Sequence, residues 1–156
     1  RRSGITALLS SPWRRIHSLM KDKPMTTGTM TAESRYQRGL AKLREIDGEA
    51  GERVLQSLDG IAPDFARYLI EFPFGDIYCR PGLDLKSREI AVVAALTALG
   101  NAAPQLKVHI QGALHVGASR AEVIETIMQM AVYAGFPAAL NGLAVAGEVF
   151  GAGAAP

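Results

Sequence analysis

The sequence predicts an all-α, single-domain helical bundle of about six to seven helices, and three observations predict it. Helix punctuation recurs along the chain: Asp47-Gly48, Asp84, Gly100, Gly117 and the run Ser119-Arg120-Ala121-Glu122 each read as a helix start or stop. No segment alternates apolar and polar residues with turn signals at its ends, so no sheet is expected. With 156 residues, 48% of them hydrophobic and 21% charged, the chain is ordinary globular material of one-domain size.

The elements follow in order. Residues 32–46 read as an amphipathic helix closed by Asp47-Gly48, and residues 50–58 as a second. A third spans Pro63–Phe72, with Pro63 where the first turn tolerates a missing N–H. Pro73–Leu83 carries prolines and glycines and is expected to be irregular. Asp84 is a good N-cap for a fourth helix that stops at Gly100. The fifth runs from about Ala103 to Val116, with Pro104 near its start. Ser119 and Glu122 form a capping box opening a sixth that reaches Ala134, and Pro137 begins the last, to about Phe150. The fourth helix is apolar nearly all round over Ile90–Leu99, and such a helix must be covered on every side. A chain of this length struggles to do that alone, so subunit partners are expected.

Charge and cysteine content narrow the functional classes. The net charge of +2 is too small to suggest a nucleic-acid surface. Much of the positive excess sits in the first 23 residues, leaving the remainder mildly acidic. Residues 1–30, rich in Arg and Ser, look foreign to the rest: an extension from a vector or a misassigned start, with Met25 or Met30 as the natural one, or an organelle transit peptide as the alternative. Residues 31–151 form the domain. The single cysteine, Cys79, excludes an internal disulfide and any CxxC motif, which points to a reducing, cytoplasmic setting. No apolar run is long enough to span a bilayer, so no membrane role is expected. No His/Asp/Glu spacing supports a metal site.

Three stretches carry a resemblance: Phe74–Glu89; Leu106–Leu114 with Gly117 and Arg120–Glu125; and Ala131–Ala139. In this order and spacing they resemble the 4-carboxymuconolactone decarboxylase family, within the alkylhydroperoxidase-D-like superfamily, over roughly residues 34–150. The resemblance implies an all-α fold that assembles as a homo-oligomer, most often a trimer or hexamer. It also implies decarboxylation, or a related lactone proton shift, of a small anionic substrate of aromatic catabolism such as 4-carboxymuconolactone. The peroxidase branch of the superfamily carries CxxC on its fifth helix, four residues before a histidine. Counted back from His109, those positions are Ala102 and Gln105, which cannot form the dithiol. The histidine is kept without the redox pair, as in the decarboxylases.

The resemblance then assigns roles. Decarboxylating a carboxymuconolactone pushes electrons through a C=C bond into the lactone carbonyl, and the dienolate takes a proton at carbon. The substrate carries its own electron sink, so no cofactor is expected. A donor near the lactone oxygen and an acid near the carbon are needed, and His109 suits either role. Asp76 stands where the family usually has glutamate, one methylene shorter, and is the second catalytic candidate, to orient His109 or shuttle the proton. Arg80, before Pro81-Gly82, is the candidate grip for a substrate carboxylate. Glu71, Gln105 and Tyr78 complete the expected substrate-binding set. Cys79, beside Arg80, keeps open two alternatives: a one-cysteine peroxidase, or a non-catalytic binding or scaffold subunit of the same fold.

Overall fold

A computed structural model gives the architecture and describes residues 32–58 and 60–152; the expectation for residues 1–30 lies outside the described residues. Among the described residues the fold is seven α-helices and one π-helical segment, with no strand. In chain order these are α1 (Ala32–Asp47), α2 (Glu49–Gln56), α3 (Pro63–Leu69), the π segment (Ile70–Tyr78), α4 (Leu85–Leu99), α5 (Ala103–His115), α6 (Arg120–Ala134) and α7 (Phe136–Ala152). No helix among them is long and apolar enough to cross a membrane.

The helix ends obey local chemistry. Asp84 starts α4, its Oδ1 accepting the Ser87 amide at 2.8 Å. Ser119 and Glu122 exchange both bonds of a capping box at the start of α6. Gly100 ends α4 with φ of 71°, a conformation that costs a glycine little.

One segment departs from expectation. The chain does not become irregular at Pro73; it stays wound through Tyr78, with α3 giving way at Ile70 to wider π turns. Pro73 cannot donate a backbone hydrogen bond, and a change of winding is one way to absorb that loss without breaking the helix. Gly75 acts as a contact rather than a breaker. A Cβ there would stand 2.8 Å from the Arg35 carbonyl oxygen, and one on Gly39 of α1 would overlap the Ile70 carbonyl. Both glycines therefore let α1 lie directly on the π segment.

Two cores result. The larger joins α4, α5, α6 and α7 around residues such as Val93, Ile110, Val123, Ile127 and Ala146. The smaller joins α1 to the π segment through Leu43, Ile46, Ile70 and Phe74. Fully burying one such isoleucine is worth about 1.5–3 kcal/mol, so Ile46 and Ile70 contribute strongly to holding α1 against the π segment. α4 packs on α5, α6 and α7, presenting Glu89, Val93 and Thr97 inward at four-residue spacing. Its opposite side, with Ala91, Ala95 and Leu99, stays exposed.

Candidate active site

The packing of α4 on α5 places a buried carboxylate against a histidine. Glu89 is fully buried, and its Oε2 lies 2.8 Å from Nδ1 of His109. The Tyr78 hydroxyl, brought in by the end of the π segment, donates to Glu89 Oε1 at 2.8 Å. Glu89 thus fixes the imidazole by one oxygen and is itself fixed through the other. With Nδ1 engaged, Nε2 is the nitrogen left for the pocket that His109 lines.

That pocket has a volume of about 340 Å³. Leu43 and Asp47 of α1, Gly51 and Val54 of α2, and Leu69 and Phe74 form part of its wall. Pro104, Gln105, Val108 and His109 of α5 form the rest, with Ser57 between α2 and α3. The lining is mostly apolar, with few polar groups converging on one point, as small-molecule sites commonly are. Gly112, three residues after His109, lies against Asp47 and Glu89. A Cβ on it would stand 2.7 Å from Asp47 Oδ1 and 3.3 Å from Glu89 Oε2, so both carboxylates converge on bare backbone.

The electrostatics follow from this crowding. Burial pulls the His109 pKa down, but the hydrogen bond and charge of Glu89, with the charge of Asp47, outweigh it, and the net shift is upward. Burial pushes Asp47 up to about 6, with Glu89 adding to the rise and His109 opposing it. Its Oδ1 is buried without a hydrogen-bond partner among the described residues. Burial, and then the charge of Glu89, raise Tyr78, so its hydroxyl keeps its proton and remains a donor.

The expected residues divide. His109 and Gln105 line the pocket. Tyr78 stands behind Glu89 rather than in the pocket lining. Asp76 does not orient His109. It is held by Arg35 and by Arg38, 3.3 Å away, and Glu89 occupies the place against the imidazole instead. The reason is winding: the π turns carry Asp76 to the α1 side of the segment. Glu71 is buried but pairs with Arg67 at 2.9 Å. Arg80 is exposed and outside the pocket lining, and its carbonyl accepts from Arg88 at 2.9 Å. The Cys79 thiol donates to the Phe74 carbonyl, 3.2 Å away, and is not part of the lining.

Sequence reasoning missed Glu89 and Asp47. Glu89 had a visible signal: the only acid of α4, on the same face as Val93 and Thr97. Asp47 had none, since an Asp-Gly pair between two helices reads as a turn.

Residues 63–148 match the sequence profile of the carboxymuconolactone decarboxylase family. The match takes in Tyr78, Glu89 and His109 but not α1. The chain is 34% identical over 122 residues to 4-carboxymuconolactone decarboxylase of Acinetobacter baylyi, covering 78% of this chain and 90% of that one. An uncharacterised 15.0 kDa protein of Paracoccus denitrificans is 34% identical over 97 residues, 62% of this chain and 72% of the other. Nitrosuccinic acid decarboxylase of Metarhizium robertsii is 26% identical over 112 residues, 70% of this chain and 77% of the other. Two of these three relatives are named as decarboxylases, which supports a decarboxylase here.

Proposed function

The chain belongs to the carboxymuconolactone decarboxylase family, and from that premise we propose that it is a cofactor-free decarboxylase of a small carboxylated lactone such as 4-carboxymuconolactone. The observation that carries the reading is the Glu89–His109 pair on the wall of the 340 Å³ pocket. Glu89 favours the imidazolium, and Nε2–H of that cation points a donor at the lactone carbonyl. As the carboxylate leaves, its electron pair moves through the C=C bond onto that oxygen. A donor fixed in a largely apolar pocket stabilises the growing charge more than water does. The apolar wall also disfavours the starting carboxylate relative to neutral CO₂. Aromatic catabolism in the cytoplasm, the setting in which the resemblance places such a lactone, fits a chain with one cysteine.

The working form is proposed to be a homo-oligomer, a trimer or hexamer. Val132, Tyr133 and Phe136 at the α6–α7 junction are 76%, 75% and 73% exposed, with Met128 and Leu140 exposed beside them. Large apolar side chains exposed this close together in sequence are the kind of surface that an interface covers.

The test is CO₂ release from 4-carboxymuconolactone by the full chain, with nitrosuccinic acid as a second substrate whose nitro group supplies a different electron sink. His109→Ala should lower kcat by about 10²-fold or more. A His109→Ala protein that keeps wild-type kcat/KM overturns the acid–base role.

A further inference from the structure

We propose that Asp47 is a second catalytic acid of this pocket, delivering its carboxyl proton to the dienolate at the carbon beside the lactone carbonyl. The inference rests on the decarboxylase reading and adds to it the group that completes the reaction.

Position comes first. Asp47 is the last residue of α1 and lines the same pocket as His109, held there as Gly48 (φ 54°) turns the chain into α2. Packing comes second. Its Oδ1 is buried and has no hydrogen-bond partner among the described residues, in a structure where Glu89 beside it has two. A buried ionised carboxylate left unpaired costs far more than the neutral acid does. The space it fills exists because Gly112 has no side chain.

The surrounding charges explain which form wins. Asp47 feels Glu89 from α4 and His109 and His115 from α5, and its own charge is felt by the Tyr78 hydroxyl of the π segment. Glu89 and His109 are opposite charges at close range and largely offset each other. Burial is therefore the main influence, and it extends the range of the protonated acid up to about pH 6. A substrate anion entering the pocket raises it further, so binding loads the proton.

One group cannot do both jobs. His109 has Nδ1 on Glu89, and its single remaining N–H serves the carbonyl oxygen. The adjacent carbon needs its own acid. The C–C bond to the carboxylate breaks, its electron pair reaches the lactone oxygen, and CO₂ departs. The dienolate pair then forms a C–H bond with the Asp47 proton, and the O–H pair stays on Asp47. Solvent restores the proton, so one is consumed for each CO₂ released.

The experiment compares wild type, Asp47→Asn and His109→Gln as full chains on 4-carboxymuconolactone. Asp47→Asn should lose about 10²-fold in kcat, with KM changed by less than about threefold. In wild type, kcat/KM should fall with rising pH in two stages, the first near 6, and Asp47→Asn should keep only the second. Infrared difference titration of wild type against Asp47→Asn gives a readout independent of turnover. A protonated carboxyl band present at about pH 5 and lost near 6 is expected. A band already absent at about pH 5 overturns the proposal. So does an Asp47→Asn enzyme with wild-type kcat and both stages intact while His109→Gln is inactive, and the decarboxylase reading then stands. A wild type that releases no CO₂ overturns that reading and the donor role with it.

Discussion

Glu89→Gln isolates the charge behind the histidine. Gln has nearly the same shape, its amide oxygen can still accept from His109 Nδ1, and its NH₂ can donate to the Tyr78 hydroxyl, which accepts as well as donates. Both 2.8 Å contacts of Glu89 can therefore persist while the charge is lost. Glu89→Ala would instead leave two buried partners unsatisfied, at about 1–3 kcal/mol each, and confuse folding with function. A hydrogen bond to a charged group is worth about 1.5–3 kcal/mol against about 1 for a neutral one. The imidazolium thus loses on the order of 1–2 kcal/mol of support, about a 5- to 30-fold fall in kcat at neutral pH. Without the Glu89 charge, burial governs His109 and its pKa drops. The basic limb of the pH–rate profile should move to lower pH, with activity partly recovered on acidification. Stability carries a second signature. The folded pKa of His109 is raised, so its contribution is complete below the unfolded value of about 6.5 and fades as pH rises through the folded value. The Tm difference between wild type and Glu89→Gln should be widest at about pH 5.5 and shrink toward about pH 9. CO₂ release across pH and thermal melts at two pH values measure both effects. An unmoved basic limb with wild-type kcat would refute the ion-pair account of this site.

Three further outcomes follow. Gly112→Ala places a methyl where Asp47 Oδ1 and the Ile46 side chain already crowd, so it should lower Tm by several degrees in a thermal melt and reduce kcat more than KM changes. Asp76→Asn should leave kcat within about threefold in the CO₂ assay, since Asp76 is held by Arg35 and Arg38 outside the pocket lining. Arg35 depresses the Asp76 pKa, so the stability this pair adds is present above the unfolded carboxylate value and lost as pH falls through the folded one; the Tm gap between wild type and variant should close in acid. Cys79→Ser should retain the main activity, because the thiol is bonded to the Phe74 carbonyl rather than aimed at His109; loss of turnover in a folded, assembled variant would favour thiol chemistry.

The fold was legible because helix ends are local chemistry. Asp84, Gly100 and the Ser119–Glu122 box announce themselves within four residues, and the structure places helix ends there. The π segment was not legible, because Pro73 and Gly75 break a helix in isolation. Their effect depends on α1, which lies some 35 residues earlier in the chain, and on its Gly39. The same long-range dependence hid the roles of two carboxylates. Asp76 neighbours Gly75 in sequence and looks poised for chemistry, yet Arg35 and Arg38 project from α1 to neutralise it. Glu89 shares a face with Val93 and Thr97, but the apolar stretch Ile90–Leu99 offers other faces as well, and packing on α5, α6 and α7 selects the 89–93–97 row.

The two acids of the pocket illustrate how one fold can place protons without a thiol or a metal ligand set. Both His109 and Asp47 are shifted upward, but for opposite reasons. His109 is a cation that burial would discharge, and it holds its proton because Glu89 stands against Nδ1. Asp47 is an acid that burial protects, and with nothing paired to Oδ1 it keeps its proton up to about pH 6. Below about pH 6, neutral Asp47 together with the Glu89–His109 ion pair makes the pocket close to uncharged before substrate arrives. An entering carboxylate then meets one N–H cation and one O–H acid rather than a wall of negative charge. Ionising Asp47 would reverse that and repel the substrate. On this account the first fall in activity with rising pH comes where Asp47 can no longer be reprotonated between turnovers, and the second where His109 loses its proton. An Asp47→Asn protein should therefore bind anions across a wider pH range than wild type while turning them over more slowly. Tighter anion binding by wild type than by Asp47→Asn at about pH 8, measured calorimetrically with an unreactive saturated lactone, would sink this account.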